Sequence, residues 1–278
     1  MFKINAYAKI NLTLELLGKL PDGYHEISSI MQQIDLCDEL EFNKSDQIKV
    51  ICNEPIPEEQ NIVYRALMLL RNRYSIGDGD IIKVTKKIPI GAGLGGGSSD
   101  AAAAIEGLNK LWKLKLSNEQ MAHLSSNLGM DVAFFINKGT CLATGRGDKV
   151  KKIKSCPKMD ILIVNPGFKI NTKDAYSLVQ ESDCGPKFKT ESMIRAIEKN
   201  DFDGIAGSLH NDFERIIYEK YPVIGKIKNE ILDNKAANAL LSGSGSSVFG
   251  IYKKKTDLDE AYERLKNKYK FVMKTCTK

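Results

Sequence analysis

Pro89-Ile90-Gly91-Ala92-Gly93-Leu94-Gly95-Gly96-Gly97-Ser98-Ser99-Asp100 runs directly into Ala101-Ala102-Ala103-Ala104. Five glycines in the seven positions 91–97 leave no side-chain surface to pack. They free the backbone to turn its N–H groups toward a bound anion. The alanine-rich segment that follows, read as a helix over about 99–112, adds the positive end of its dipole and a set of unpaired amides. Ser98 and Ser99 supply hydroxyls for a phosphate or a magnesium ion.

Three other interpretations of this stretch fare worse. Gly91-Ala92-Gly93-Leu94-Gly95-Gly96 satisfies GxGxxG, but a dinucleotide fingerprint expects a tight strand-to-helix turn and an acidic residue about 20 positions on. Here Pro89 interrupts the approach, and the region after the helix is Lys113-Leu114-Lys115-Leu116. A Walker A loop needs lysine after its last glycine, where this chain has Ser98. A surface loop without a ligand would order its glycines at about 1 kcal/mol each with nothing in return.

Upstream of the loop, a strand over 81–85 follows a helix over 61–74 that places Ile62, Ala66, Leu69 and Leu70 on one side. Further back, Ile10, Leu12, Leu14 and Leu16 alternate with Lys9, Asn11, Thr13 and Glu15, the pattern of a strand with one apolar face. Pro21-Asp22-Gly23 turns the chain into a second apolar stretch through Ile27, Ile30 and Ile34, with strand candidates at 39–42 and 47–52. Downstream come a helix over 118–128, a buried strand over 161–164 ended by Asn165-Pro166-Gly167, and an exposed loop over 181–187. Helices near 191–199, 222–233 and 256–268 then alternate with strands near 238–242, 247–252 and 270–275. The class is α+β, with mixed or antiparallel sheets, flanking helices and two lobes (1–155 and 156–278) joined near 153–160.

No apolar run reaches the roughly 18 to 20 residues that span a bilayer, and the N-terminus lacks the apolar core of a secretory signal. A cytoplasmic protein is expected. The six cysteines have no CxxC pair and the three histidines lie far apart, so free thiols and no protein-built metal site are expected. A net charge of +6, with one local run at 149–154, favours anionic small molecules. No basic stripe interleaves with aromatics, which argues against nucleic acid. The oligomeric state is left open.

The pattern Pro-x-Gly-x-Gly-Leu-Gly-Gly-Gly-Ser-Ser resembles the phosphate loop of the GHMP kinase superfamily (galactokinase, homoserine kinase, mevalonate kinase and relatives). Further segments carry the likeness along most of the chain. They are Ala8-Lys9-Ile10-Asn11-Leu12, Asp22-Gly23-Tyr24-His25-Glu26, Leu128-Gly129-Met130-Asp131-Val132, Gly145-Arg146-Gly147, Thr172-Lys173-Asp174-Ala175-Tyr176, Asn211-Asp212-Phe213-Glu214 and the turn from Ser242 to Ser247. Ala133 departs from the proline common there, a change of local stiffness only.

The resemblance implies a two-lobed kinase with its active site in the cleft between lobes, using ATP with Mg²⁺. It makes Lys9 and Asp131 the catalytic pair: Asp131 would accept the proton of the attacked hydroxyl, and Lys9 would hold hydroxyl and aspartate in place. Without the resemblance, Lys9 reads as a solvated strand lysine and Asp131 as a helix cap or surface acid. ATP would be held by Pro89 to Ser99, with Asn61 and Lys86 around the nucleotide. Tyr24, His25 and Tyr176 would take a cytosine, with Asn11 also at the substrate, so the implied acceptor is a cytidine diphosphate-linked methylerythritol. The Ser242–Ser247 turn would pack beside the glycine loop. A homoserine or mevalonate kinase, with no cytosine to stack, and a nucleotide-binding homologue without catalysis are the alternatives.

Overall fold

Strand β1 (Phe2–Lys19) and strand β2 (His25–Ser45) are long, and each contributes residues to two compact units. The computed structural model describes residues 1–77 and 79–278. The first unit comprises Met1–Ala8, Leu36–Ile88 and Gly95–Lys138, and the second Lys9–Asp35, Pro89–Leu94 and Gly139–Lys278. Both are discontinuous because β1, β2 and the glycine loop each pass from one to the other.

In the first unit, β3 (Lys49–Cys52), helix α1 (Ile62–Tyr74), β4 (Gly79–Thr85), α2 (Gly96–Leu111), α3 (Asn118–Ser125) and α4 (Val132–Asn137) follow in order. β4 pairs antiparallel with β2 from Glu39 to Ser45 and parallel with β3. α2 packs against α1, α3 and α4, and its four successive alanines are buried. Only small side chains allow a helix to be enclosed on nearly every side. Gly107 takes this furthest. A Cβ there would lie 2.1 Å from the Phe42 ring, so the ~1 kcal/mol that glycine costs a helix is exchanged for close packing on the sheet.

The second unit adds β5 (Thr140–Gly145), β6 (Lys149–Lys152), β7 (Asp160–Asn165), α5 (Thr172–Tyr176), α6 (Lys189–Glu198), α7 (Phe202–Ser208), β8 (His210–Asn211), α8 (Phe213–Lys220), α9 (Pro222–Asp233), β9 (Asn238–Leu241), β10 (Val248–Tyr252), α10 (Lys255–Leu265) and β11 (Phe271–Cys276). β5 pairs antiparallel with β2 through Ile27–Gln32, and β8 pairs parallel with β1 at Thr13 and Leu14. A separate antiparallel sheet has the order β11-β7-β10-β9. The lysine run of 149–154 begins as β6, a largely exposed strand paired only with β5. Charge on such a strand discourages pairing with another chain.

The core of this unit gathers Leu14 and Leu16 of β1 with Val164, Phe213, Ile227 and Val248. Truncating a side chain as enclosed as Phe213 to alanine costs about 3–5 kcal/mol in such cores. The sheets are mixed overall, as the α+β expectation required. β1 departs from the alternation read in the sequence, because Lys9, Asn11, Thr13 and Glu15 are buried as well as the apolar face. β2 departs too: one strand replaces the two separate stretches, since residues 29–34 are buried on both faces and show no alternation.

Candidate active site

The glycine loop is held at its start by the second unit. Ser247 N–H donates to Ala92 O (3.1 Å), Ser242 Oγ donates to Gly93 O (3.0 Å) and Lys9 N–H donates to Leu94 O (3.0 Å). A Cβ on Gly93, at φ +78°, would stand 2.0 Å from Ser242 O. Glycine is therefore required for two chain segments to touch. The serine turn is anchored in its own right: Asn165 Nδ2 donates to Ser246 Oγ and Ser247 Oγ, and Asn211 Nδ2 donates to Leu241 O and Gly243 O. It packs beside the loop, as expected.

From Gly95 the loop belongs to the first unit. Gly95, at φ 68°, is the N-cap of α2, so the helix begins at Gly96, three residues before the sequence places it. Side-chain propensity argues against a helix starting on glycines, but the first turn needs no packing. Its first amides lack intrahelical partners. Gly97 is exposed, with nothing nearer to a notional Cβ than Ile62 Cγ2 at 3.9 Å. The two serines differ. Ser99 is buried and spends its proton on Tyr7 O (2.6 Å), leaving Ser98 as the partly exposed hydroxyl.

Lys9 is buried, at 4% exposure, and its Nζ donates to Asn11 Oδ1 at 2.6 Å. Both side chains face the serine turn, since a Cβ on Gly243 would lie 3.3 Å from Lys9 Nζ and 3.4 Å from Asn11 Oδ1. The second unit thus joins Lys9, Asn11, the loop's first half and the serine turn. In the first unit Asp131 is the N-cap of α4, yet its carboxylate makes no capping hydrogen bond to that helix. Asn61 does cap: its Oδ1 accepts from Val63 N at 3.0 Å, which leaves the amide nitrogen as its donor to a ligand.

Lys86, which the resemblance puts around the nucleotide, is set among acidic side chains. Its ammonium, 5% exposed, is turned inward onto Asp38 and onto Asp100 Oδ2 (2.6 Å). Burial opposes the charge on Lys86, but the two carboxylates outweigh it and raise its pKa. Burial raises Asp100 to about 7, helped by the negative Asp38 and opposed by Lys86. Its second oxygen, Oδ1, is buried without a hydrogen-bond partner, which further disfavours the ion. A Cβ on Gly96 would lie 3.3 Å from Lys86 Nζ. The lysine therefore supports the loop from beneath. Asp38 and Asp100 were missed in the sequence, although Asp100 ends the quoted stretch.

The aromatic residues lie in the second unit. Tyr24 is 50% exposed, too much for a core tyrosine, and its N–H donates to Asp22 Oδ1 (3.1 Å). The Arg146 guanidinium sits 5.2 Å from the centre of its ring. In the sequence Arg146 stands out only as part of Gly145-Arg146-Gly147, with no role of its own. His25 and Tyr176 are brought together, ring centroids 5.4 Å apart, and Tyr176 stands edge-on to Phe213 at 4.9 Å. Burial lowers the pKa of His25, and the charge of Lys19 adds to this. A neutral imidazole offers one donor and one acceptor to a ligand.

Comparison with known proteins gives the family and the fold. The pattern described as "GHMP kinases N terminal domain" matches residues 61–139, and "GHMP kinases C terminal" matches residues 193–270. The chain has the fold of a GHMP kinase. A 4-diphosphocytidyl-2-C-methyl-D-erythritol kinase of Thermoanaerobacter pseudethanolicus is 42% identical over 97% of this chain and 94% of that protein. One of Listeria innocua is 42% identical over 95% of this chain and 91% of its own length. A crystal structure of 4-(cytidine 5'-diphospho)-2C-methyl-D-erythritol kinase superimposes with a TM-score of 0.87 at 28% identity, covering 99% of both chains. Homoserine kinase from Cytophaga hutchinsonii, at a TM-score of 0.77 and 19% identity over 99% of this chain and 94% of its own, shares the fold. The chain belongs to the 4-diphosphocytidyl-2-C-methyl-D-erythritol kinase family of the GHMP kinases.

Proposed function

We propose that this kinase transfers the γ-phosphoryl group of ATP to the 2-hydroxyl of 4-diphosphocytidyl-2-C-methyl-D-erythritol, giving the 2-phosphate and ADP, in the non-mevalonate route to isoprenoid precursors. The observation that carries the acceptor assignment is the exposed Tyr24 ring, followed directly by the paired His25 and Tyr176. A mevalonate or homoserine kinase has no base for these rings. Stacking on an aromatic is worth about 1–3 kcal/mol per base, enough to set a substrate preference.

In this scheme the amides of Gly95 to Ser98 and the preceding loop from Pro89 hold the phosphates of ATP, with Asn61 near the nucleotide. Lys86 serves the loop from beneath. Lys9 and Asn11 hold the acceptor hydroxyl, whose proton passes to the Asp131 carboxylate as its oxygen bonds to the γ-phosphorus. The bond from that phosphorus to the β-phosphate bridging oxygen breaks, and ADP leaves with the electron pair. Among the described residues no group of three or more His, Cys, Asp or Glu is placed to hold a metal. Mg²⁺ would arrive with the nucleotide, and the partly exposed Ser98 hydroxyl would be the protein group to hold it. It would neutralise phosphate charge.

We also propose 1–155 and 156–278 as the two domains, supported by the two family matches falling on either side of that boundary. No helix among the described residues is long and apolar enough to cross a membrane, which supports a cytoplasmic site of action. ADP release by the purified protein across a panel of alcohols tests the central claim. Turnover with the cytidine diphosphate-linked acceptor is expected. Turnover with homoserine or mevalonate in its place would overturn the acceptor assignment.

A further inference from the structure

Behind Lys9 runs a series of buried polar side chains that neither the family likeness nor the chemistry above has used. Lys9 Nζ donates to Asn11 Oδ1 (2.6 Å), Asn11 Nδ2 donates to Ser29 Oγ (2.8 Å), and Ser29 Oγ donates to Thr13 O (2.6 Å). Asn11 is 1% exposed and Ser29 is fully buried, so water does not compete for these bonds.

The direction of each bond is forced. A backbone carbonyl only accepts, so the single hydroxyl proton of Ser29 points at Thr13 O. Toward Asn11, Ser29 can then only accept, and the amide must present its nitrogen. The amide oxygen is thereby turned to Lys9, whose ammonium only donates. Thr13 is itself fixed, with its Oγ1 accepting from Ile30 N (2.9 Å) and sharing a hydrogen bond with Thr190 Oγ1 (3.1 Å). Next along the strand, Glu15 accepts from Lys187 N (2.8 Å) and Thr190 N (2.8 Å), anchoring the start of α6 against this face of β1. Burial raises the pKa of Glu15, but the hydrogen bonds from Thr190, Lys187 and Lys189 outweigh it and leave the carboxyl below its ordinary value.

We propose that Ser29 is a positioning residue for phosphoryl transfer: its hydroxyl sets the Asn11 amide in the one orientation that offers an oxygen to Lys9. The inference rests on the reading that Lys9 acts on the acceptor hydroxyl. Without Ser29, Asn11 Nδ2 loses its buried acceptor, and only the bond to Lys9 itself then resists rotation of the amide. Rotated, it would set an N–H₂ against an NH₃⁺ and drive Lys9 from its place. A displacement of about 1 Å in a positioned group costs on the order of 10²-fold in rate.

The test is the kinetics of Ser29→Ala, Asn11→Ala and the double variant, with Lys9→Ala as a control. Ser29→Ala is expected to lower kcat about tenfold, with KM for ATP unchanged, and Ser29→Thr, which keeps the hydroxyl, to restore kcat. In the Asn11→Ala background, Ser29→Ala should lower kcat by less than twofold, because no amide remains to be oriented. The fall in Tm, by contrast, should persist in both backgrounds, since Thr13 O loses its donor in each. If Ser29→Ala is poorly folded, Ser29→Cys, which keeps the bulk but has a weak acceptor, should show the same loss of kcat. A folded Ser29→Ala enzyme with the wild-type kcat, or losses of kcat that multiply fully in the double variant, would overturn the proposal. Retained activity in Lys9→Ala would instead sink the reading beneath it.

Discussion

Two buried lysines, Lys9 in the second unit and Lys86 in the first, carry the same charge into opposite settings. Lys9 is held by the neutral amide oxygen of Asn11, within a series of uncharged donors and acceptors. Lys86 is held by two carboxylates, Asp38 and Asp100, that are as buried as it is. A neutral acceptor helps to fix the place of an ammonium without adding a negative charge beside it. Asp38 sets a negative charge directly on Lys86, Asp100 adds a second acceptor that keeps its proton up to about pH 7, and what remains is a strut. The difference suits one lysine to chemistry and the other to holding α2 and the glycine loop in place.

The most severe way to break this comparison is to remove Lys9. Lys9→Ala is expected to lower kcat on the order of 10²- to 10³-fold, the usual cost of losing a preorganised group at a transferring centre. KM for ATP should change little. Lys86→Met should behave differently, leaving two buried carboxylates without their counter-ion. Losing one partner of a buried ion pair costs about 3–5 kcal/mol, and urea denaturation should show it. A Lys86→Met enzyme with wild-type stability but a kcat as low as that of Lys9→Ala would erase the distinction.

Asp100→Asn gives the smallest and sharpest effect. Asp100 ordinarily titrates near 3.8, but burial, with Asp38 beside it, raises it to about 7 in the folded chain. The folded state therefore holds a proton that the unfolded state has lost between these values. The stability this residue contributes is fully present below about 4 and is lost as pH rises through about 7. The asparagine variant lacks that slope, so its Tm should gain on wild type steadily from pH 4 to pH 8. A Tm difference independent of pH would show that Asp100 is ionised throughout and that the triad is not overloaded with negative charge.

Much of the fold could be read along the chain. The alternation of Ile10 to Leu16 marked β1, Asn165-Pro166-Gly167 marked the end of β7, and the helices at 62–74 and 222–233 lie where periodicity put them. What failed did so for a physical reason. Sequence alternation reports a buried and a solvated face, and β1 has no solvated face where Thr13 meets Thr190, 177 residues away. The helix after the glycine loop began early because its first turn, entered from Gly95 at φ 68° with no side-chain cap, carries no side-chain signal to mark it.

The glycine spacing, the Pro21-Asp22-Gly23 turn before Tyr24 and His25, and the apolar periodicities are local properties, and the order of residues settled them. So did the likeness to a kinase, which rests on short motifs in a fixed order. The fates of the two lysines were decided only in three dimensions. Lys9 stands between Ala8 and Ile10 and Lys86 between Thr85 and Lys87, and neither pair of neighbours tells which groups will surround the ammonium. Asp38 reaches Lys86 across 48 positions, and Ser29 reaches Asn11 across 18. A buried charge takes its character from the groups that replace water around it, and those groups are brought together by the fold.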